Sequence, residues 1–555
     1  MRPSPLLLAL AMASIPAAQS PAQAPPAGPT LAVVNAQVWT GDPRRPWATA
    51  LAASGDRLVA VGSTAEVRKL VRPGTRVVDG GGRMVVPGFI DAHVHFLEGG
   101  FRLSSVQLRD AKTPAEFTAR IRAFAATVPK GAWIVGGDWD HEQWGGELPA
   151  RRWIDSVTPD HPVWVNRLDG HMALANSLAL RLAGVGRATP DVAGGSIVRD
   201  ASGEPTGVLK DNAMGLVWKV VPDAPPELED RALDAAMRYV AEQGVTSVHH
   251  MGGWSDLAVF ERAHHAGRLR TRIYASVPLG SWARLRDTVA ARGRGDAWLH
   301  IGGLKGFVDG SLGSHTAAML APFTDAPADS GFFVTTPADL EAWTRGADAA
   351  GLQVNVHAIG DRAIRTQLDI YERVAREHGA RDRRFRIEHA QHIAPADIPR
   401  FGALGVIPSM QPYHAIDDGR WADRVIGAER AKGTYAFRSL LDAGARLAFG
   451  SDWFVAPPTP LEGIYAAVTR ATLDGKRPGG WVPAQKITVE EALRAYTAGG
   501  AYAEFAEGEK GVLRTGMLAD FVMLDRDITR VPAVEVREAR VLLTVVGGQV
   551  VFERP

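Results

Sequence analysis

Eight short apolar segments recur along the chain, and amphipathic helical patterns separate most of them. Strands that alternate with helices require a parallel sheet. The predicted strands are 84–90, 245–249, 272–277, 301–308, 353–357, 385–389, 406–410 and 446–450. Helical patterns between them include 227–243, 339–350, 362–378 and 434–443. Eight such units predict an α/β fold with a (β/α)8 barrel of TIM type. An open doubly wound sheet is the alternative, and the lack of a glycine-rich phosphate loop disfavours it.

Both ends of the chain read as β-structure. Residues 31–39 and 48–61 near the start, and 519–524 and 541–552 near the end, hold apolar strand patterns with turn signals between them. Because domain termini often lie close together, these ends predict one small composite β-sandwich domain. We assign it residues 25–83 and 501–555, and we assign the barrel residues 84–500.

A long insertion, residues 97–225, interrupts the alternation between the first two strands. It holds seven of the fifteen Trp residues, counting Trp254 just beyond it. Long insertions that follow a barrel strand, at the carboxyl ends of the strands, usually form part of the active site or its lid. A subdomain core that uses Trp for packing is an equal alternative.

Residues 1–24 have the pattern of a secretory signal peptide. Arg2 supplies the positive start, residues 6–15 are a short apolar run, and 22–24 have the small-x-small form of a cleavage site. We therefore expect export to the periplasm or the medium, with a retained anchor or a disordered tail as the alternative. There is no Cys, so disulfides are excluded. No second long apolar run is present, so we expect no membrane contact after signal removal.

The charge pattern narrows the class of partner. The formal net charge is +1, and acidic residues are interleaved with the basic ones. Without a basic stripe, nucleic-acid binding is not expected. We expect a small-molecule substrate, and a homodimer is left open as the oligomeric state.

Polar residues follow the apolar strands where a barrel places its site. His93 and His95 follow the first strand two residues apart, so both point to one side and can reach one ion. Three further residues each end or follow a later strand: His357, His389 and Asp452. Neutral imidazole and carboxylate suit Zn, Mn or Fe(II). This set predicts a metal centre.

Lys305 lies within the fourth predicted strand, in GLKGFVDG. An ammonium has donors but no acceptor, so it cannot bind a metal as it stands. Reaction with carbon dioxide would give a carbamate with two oxygens able to bridge two cations. The alternative is a buried Lys paired with Asp309 or Asp452.

These residues stand in segments that resemble the amidohydrolase superfamily. The sequence around them is most similar to the third amidohydrolase family of this superfamily, the N-substituted formamide deformylase-like group. The matching segments run in order from VVPGFIDAHVH through GGDWDHEQW, VWVNRLDGHMALANSLAL, LKGFVDGSLGSHTAAML, VNVHAIGDRAI, RIEHAQ, QPYH and FGSDW to GMLADFVML. The resemblance implies the barrel, the composite β-domain, two divalent metal ions that we expect to be zinc, and a carboxylated Lys305. Members commonly have Arg where His315 stands, which puts the usual contact there in doubt.

The ligand set implies a mechanism. His93, His95 and Asp452 would hold the buried metal, His357 and His389 the second, and modified Lys305 would bridge both. A bridging water would have its pKa lowered from about 15.7 towards 7. Asp452 would take its proton and pass it to the leaving nitrogen, while the exposed metal polarises the carbonyl.

Other polar residues are candidates for contact with the substrate. They are Trp139, Asp140, Asp169, His171, His315 and Gln411, with His414 as a catalytic residue that stabilises the oxyanion. Purely structural roles are the alternatives: Asp169 and Gly170 form a turn and no more, Trp139 packs in a core, and Gln411 bonds to backbone groups. Asp309 and Asp361 are expected to brace the ligands from behind.

The sequence therefore predicts a metal-dependent hydrolase of a C–N bond in an amide or formamide. One alternative is hydrolysis of esters, carbamates or cyclic amides, because the same hydroxide attacks any carbonyl. Another is a non-catalytic regulatory or binding protein that has kept the fold, which the complete ligand set disfavours.

Overall fold

The computed structural model describes residues 28–555. The predicted signal peptide, residues 1–24, lies outside the described residues. Within residues 28–555, no helix combines the length and the apolar character needed to cross a membrane.

The centre of the molecule is a barrel of eight parallel strands, in sequential order around the sheet. The strands are β1 (Phe89–Val94), β2 (Val245–Met251), β3 (Arg272–Pro278), β4 (Leu299–Phe307), β5 (Gln353–Ala358), β6 (Arg386–His389), β7 (Ile407–Met410) and β8 (Ala448–Phe449). The ring closes just beyond β8, where Asp452 N donates to His93 O at 2.7 Å and His95 N donates to Trp453 O at 2.6 Å. The predicted (β/α)8 barrel is confirmed.

Helices cover the outside of the barrel. They include Pro226–Glu242, Trp254–His265, Trp282–Arg292, Pro337–Ala349, Asp361–His378, Ile398–Leu404, Phe437–Asp442, Pro460–Thr469, Val489–Ala495 and Ala498–Ala503. Asp361–His378 shows why such segments pack here, because Ile364, Leu368 and Tyr371 lie on one buried face. The Tyr371 hydroxyl donates to the Arg386 carbonyl at 2.8 Å and ties the helix to β6.

The first predicted strand, 84–90, is wrong as a single element. Met84–Pro87 pairs with Phe521–Leu524 and Gln37–Trp39 in a sheet outside the barrel, and β1 begins only at Phe89. Gly88 separates the two parts, and a Cβ there would lie 2.2 Å from Thr246 Oγ1. Both parts are apolar and fully buried, so the run shows no sign of the change of sheet.

Both ends of the chain build two packed sheets. The first has the strand order Arg57–Gly62, Ala50–Ser54, Leu31–Val34 and Arg76–Asp79, and the second has Gln549–Glu553, Val541–Val546, Phe521–Leu524, Met84–Pro87, Gln37–Trp39 and Trp47–Ala48. One apolar core joins them and includes Val33, Leu51, Val85 and Phe521. The N-terminal and C-terminal segments therefore share a sandwich, as the sequence predicted.

The insertion folds around a six-stranded mixed sheet. The strand order is Gly195–Arg199, Pro205–Asp211, Met172–Ala175, Val163–Arg167, Ile134–Trp139 and Val106–Gln107, with helices Pro114–Ala125, Arg151–Ile154, Ser177–Ala183 and Gly215–Trp218. It has apolar cores of its own, one around Trp139 and one around Trp164. It also reaches the barrel mouth, where Asp169 accepts from the Ser311 hydroxyl and Lys210 Nζ donates to Ser314 O at 2.8 Å.

Candidate metal centre

The predicted ligands converge at the carboxyl-terminal mouth of the barrel. His93 lies in β1, Lys305 in β4, His357 in β5 and His389 at the end of β6, and His95 and Asp452 follow β1 and β8. All are buried except His95, whose side chain is 25% exposed. His389 and Asp452 have left-handed backbone conformations, with φ of 71° and 60°. Such conformations are rare in non-glycine residues and cluster at functional sites.

Asp452 is the hub of the cluster. Its Oδ1 lies 3.4 Å from His93 Nε2 and 3.3 Å from His95 Nε2, and its Oδ2 lies 3.9 Å from His389 Nδ1. Oδ1 is buried and accepts no hydrogen bond within the described residues. Ligand atoms of His93, His95 and Asp452 lie within 4.8 Å of one another. A buried, unpartnered carboxylate oxygen between imidazole nitrogens fits a divalent cation.

The other ligands surround this hub. Lys305 Nζ lies 3.2 Å from His93 Nε2, and neither Asp309 nor Asp452 forms an ion pair with it. The ring centroid of His389 lies 4.7 Å from that of His93 and 4.6 Å from that of His357. The structure therefore brings all six predicted ligands together.

Each of three imidazoles has one ring nitrogen occupied by an acceptor. The pairs are His93 Nδ1 with Glu388 Oε2 at 2.5 Å, His389 Nδ1 with Gln411 Oε1 at 2.9 Å, and His357 Nε2 with Gly310 O at 3.0 Å. An acceptor on one nitrogen holds the proton there and leaves the lone pair on the other. His93 and His389 thus offer Nε2 to a metal, and His357 offers Nδ1.

Burial sets the charge states of the ligands. Burial, with the nearby Lys305 and histidines, holds the pKa of His93, His357 and His389 well below the usual value, so these imidazoles are neutral. Burial alone would raise the pKa of Asp452, but His93 and His95 hold it at about 2. Neutral imidazole and ionised carboxylate are the forms that bind metals.

Two chambers open on this centre. The aromatic chamber, ≈ 270 Å³, is walled by Trp164, Met214, Trp218, Phe307 and Phe454. The polar chamber, ≈ 50 Å³, is walled by Asp140, Arg167, His414 and Arg420 among others. His357, His389 and Asp452 line both chambers, so the metal ligands lie where the chambers meet.

Comparison with known sequences identifies the family. A profile of the amidohydrolase family matches residues 76–552. The chain belongs to the third amidohydrolase family. Protein LONG AFTER FAR-RED 3 of Arabidopsis thaliana is 42% identical over 543 residues, 95% of this chain and 93% of that protein. N-substituted formamide deformylase of Arthrobacter pascens is 31% identical over 547 residues, 94% of this chain and 98% of that protein.

A solved structure agrees with this membership. An uncharacterized metal-dependent hydrolase from Pyrococcus horikoshii OT3 superposes with a TM-score of 0.74 at 30% identity, over 91% of this chain and 99% of that one. The family and the shared fold make this chain a hydrolase with a metal site.

Four residues predicted for substrate contact or catalysis lie at the chambers of this amidohydrolase. They are Asp140, Asp169, His171 and His414. His171 Nδ1 lies 2.7 Å from Asp211 Oδ1, and its ring centroid lies 4.8 Å from that of His357. The insertion thus delivers an oriented imidazole beside a metal ligand.

Three residues predicted for substrate contact line neither chamber. Trp139 is fully buried in the insertion core, and its indole N–H donates to Val165 O at 2.9 Å. It packs there with Phe117, Ile121 and Ile154. His315 lines neither chamber and pairs with Asp325 at 3.0 Å. Gln411 is fully buried and accepts from His389 instead of facing the cavity.

Asp309 and Asp361, predicted to support the ligands from behind, accept hydrogen bonds from backbone N–H groups. Asp309 accepts backbone N–H groups of Ala318, Ile359 and Gly360 at 2.8–3.0 Å. Burial raises its pKa to about 7. Asp361 accepts from Leu320 N at 2.7 Å. Both fix the loops behind the ligands, and Asp309 Oδ1 also lies 3.6 Å from Nε2 of His357.

Sequence reasoning missed Glu388, Arg386 and Asp211. Glu388 directly precedes His389 in RIEHAQ, and Arg386 lies two residues earlier on the same side of β6. Two charged residues at inward-facing positions of a short barrel strand were a readable signal, because such strands are otherwise apolar. Asp211 lies in the insertion, far from any ligand in sequence, and carried no such signal.

Proposed function

We propose that this amidohydrolase cleaves the C–N bond of a linear amide of the formamide type, with Asp452 moving the proton. The observation that carries the proposal is the ionised, buried Asp452 carboxylate, which lies 3.3–3.4 Å from two imidazole nitrogens and has an unpartnered Oδ1. The relative from Arthrobacter pascens, named as an N-substituted formamide deformylase, supports the substrate class.

We propose two zinc ions as the resident metals. His93, His95 and Asp452 would hold one, His357 and His389 would hold the other, and carboxylated Lys305 would lie between them. When bound, such ions lower the pKa of a water towards 7 and polarise a carbonyl oxygen.

Lys305 is suited to carboxylation. Burial lowers the pKa of its amine to about 8. The free amine can attack carbon dioxide, so that an N–C bond forms and the nitrogen releases one proton. The carbamate product carries one negative charge on two oxygens, and a pair of cations favours this over an ammonium.

Asp452 and His414 would handle the proton and the developing charge. Asp452 accepts a proton from the attacking water and delivers it to the leaving nitrogen as the C–N bond breaks, which gives an acid and an amine. Burial lowers the pKa of His414, so its imidazole is neutral, and its Nε2 is buried without a hydrogen-bond partner among the described residues. An Nε2–H there would donate to the carbonyl oxygen as it becomes an oxyanion.

The chambers suggest how the substrate lies. The aromatic chamber suits a bulky apolar substituent on the nitrogen, because Trp164, Trp218 and Phe454 are among its walls and its volume is ≈ 270 Å³. The polar chamber, at ≈ 50 Å³ against ≈ 270 Å³, suits a much smaller group. A formyl group in the polar chamber, beside His414, with the substituent on nitrogen in the aromatic chamber, would fit both volumes.

The test is a substrate screen on metal-loaded protein. Formamides with alkyl or aryl groups on nitrogen should be hydrolysed faster than their acetyl and longer acyl counterparts, N-acyl amino acids and p-nitrophenyl esters. Asp452→Asn should lose at least about a thousandfold in kcat, while Asp325→Asn, outside both chambers, should not. Turnover of esters alone would favour the ester alternative, and metal-loaded protein without any turnover would favour a binding protein.

A further inference from the structure

The interior of the barrel below the metal ligands is charged. Glu388 and Arg386 both point inward from β6, and both side chains are fully buried. Barrel interiors are usually filled by branched apolar side chains. A buried carboxylate and guanidinium are costly unless each is fully paired. Their partners therefore indicate why they are there.

Glu388 connects a metal ligand to Arg386. Its Oε2 lies 2.5 Å from His93 Nδ1 and accepts from Arg386 Nη2 at 3.3 Å, and its Oε1 forms an ion pair with Arg386 Nε at 2.8 Å. Oε2 thus contacts both partners, and Oε1 contacts Arg386 alone. The carboxylate cannot turn without losing one of the two contacts.

Arg386 is itself held from several directions. Its guanidinium nitrogens lie 2.9 Å from His249 Nδ1, 2.9 Å from Ser409 Oγ and 2.5 Å from Ala92 O. These partners come from β2, from β7 and from β1, next to His93 itself. The guanidinium is therefore fixed relative to three strands.

The charges continue to the far end of the barrel. His249 Nε2 lies 3.2 Å from Glu504 Oε1, which lies 2.8 Å from Lys510 Nζ. Lys510 Nζ donates to Ser247 Oγ at 2.7 Å. Positive and negative groups alternate along this line, so Arg386 is not left as an isolated charge.

We propose that Glu388, held by Arg386, is a positioning residue that orients His93 and sets the affinity of the buried metal position. The carboxylate keeps the proton on Nδ1, fixes the ring and makes Nε2 a stronger donor of electrons. The proposal rests on the ligand set given under the proposed function. It adds a residue that touches neither substrate nor metal.

Glu388→Gln tests the proposal on the full chain. In one orientation the amide NH2 of the variant faces the Arg386 guanidinium, and in the other it faces the His93 Nδ1–H, so a donor meets a donor in either case. Protein stripped with a chelator is titrated with Zn²⁺ against a chromophoric chelator. The Kd of the tighter position should rise about 10- to 100-fold, the usual loss when a ligand's hydrogen-bond partner is removed. Substitution with Co²⁺ should show a changed ligand-field spectrum.

Asp520→Asn is the matched control. Asp520 is also a buried carboxylate paired with a buried arginine, with Arg272 Nε at 2.7 Å and Nη2 at 3.0 Å. It touches no metal ligand. This variant should lower Tm and leave the Zn²⁺ Kd within about twofold of the wild type.

A second variant covers the case in which Glu388→Gln does not fold. Glu388→Asp keeps the charge beside Arg386 but is one methylene too short to reach both partners, and its Kd should also rise at least about tenfold. A wild-type Kd in a folded Glu388 variant, or an equal rise in Asp520→Asn, would overturn the proposal. If wild-type protein binds no Zn²⁺, the metal centre itself is refuted.

Discussion

Replacing Lys305 is the sharpest test of the two-metal centre. The amine is buried, and burial lowers its pKa from 10.5 to about 8. At pH 7 about one site in ten then carries the free amine, against roughly one in three thousand at the unshifted value. The site thus raises the reactive form about 300-fold. Lys305→Ala removes the bridging group, and we expect it to lose most of the metal and of the activity.

The rescue experiment separates loss of the ligand from loss of the fold. In Lys305→Ala, the vacated space can admit bicarbonate, acetate or propionate, and added acid should restore a fraction of metal content and kcat. Lys305→Met fills the same space and should not respond. Metal is measured by elemental analysis, and the carbamate by ¹³C NMR of protein loaded with ¹³C-bicarbonate. Two bound metals in the Met variant, or no carbamate signal in active wild-type protein, would refute the reasoning.

Four further outcomes are expected. Elemental analysis should find about two divalent ions per chain, and His95→Ala should abolish activity with an unchanged circular dichroism spectrum; active, metal-free protein would contradict this. Gln411→Leu removes the acceptor on His389 and should lower kcat about 10- to 100-fold with KM unchanged; a change confined to KM would instead indicate substrate contact. Trp139→Ala should cost about 3–5 kcal/mol of unfolding free energy by denaturant titration and leave KM unchanged. Burial alone would raise the pKa of Glu504, but Lys510 and His249 hold it at about 2 in the folded state. The stability that ionised Glu504 contributes is therefore present above pH 4.5 and is lost as the pH falls towards 2. Glu504→Gln should flatten that part of a titration of unfolding free energy against pH.

The ligand positions could be read from the sequence because the signals are local. A strand has a period of two, so His93 and His95 share a side wherever the strand lies. An apolar run followed by a polar residue marks the carboxyl end of a barrel strand, and His357 and Asp452 follow that rule. Lys305 lies within its strand, at the level of the other metal ligands. The eight units and the two β-rich ends were readable for the same reason.

Other features were decided only by packing between distant segments. The run at 84–90 looks like one strand, and only pairing with Phe521–Leu524 assigns its first half to the sandwich. Trp139 and Asp140 are adjacent and point to opposite sides, and only the packing of the insertion decides that Trp139 lies in a core and Asp140 at a chamber.

The partners of the ligands depend on tertiary structure most of all. Glu388 meets His93 across the barrel, 295 residues away in sequence. Strand periodicity indicates which side of a strand a residue faces, but not which side chain it meets there. The partner of each inward-facing side chain is fixed only when the barrel closes, because closure brings the side chains of His93 in β1 and Glu388 in β6 within hydrogen-bond distance across the interior.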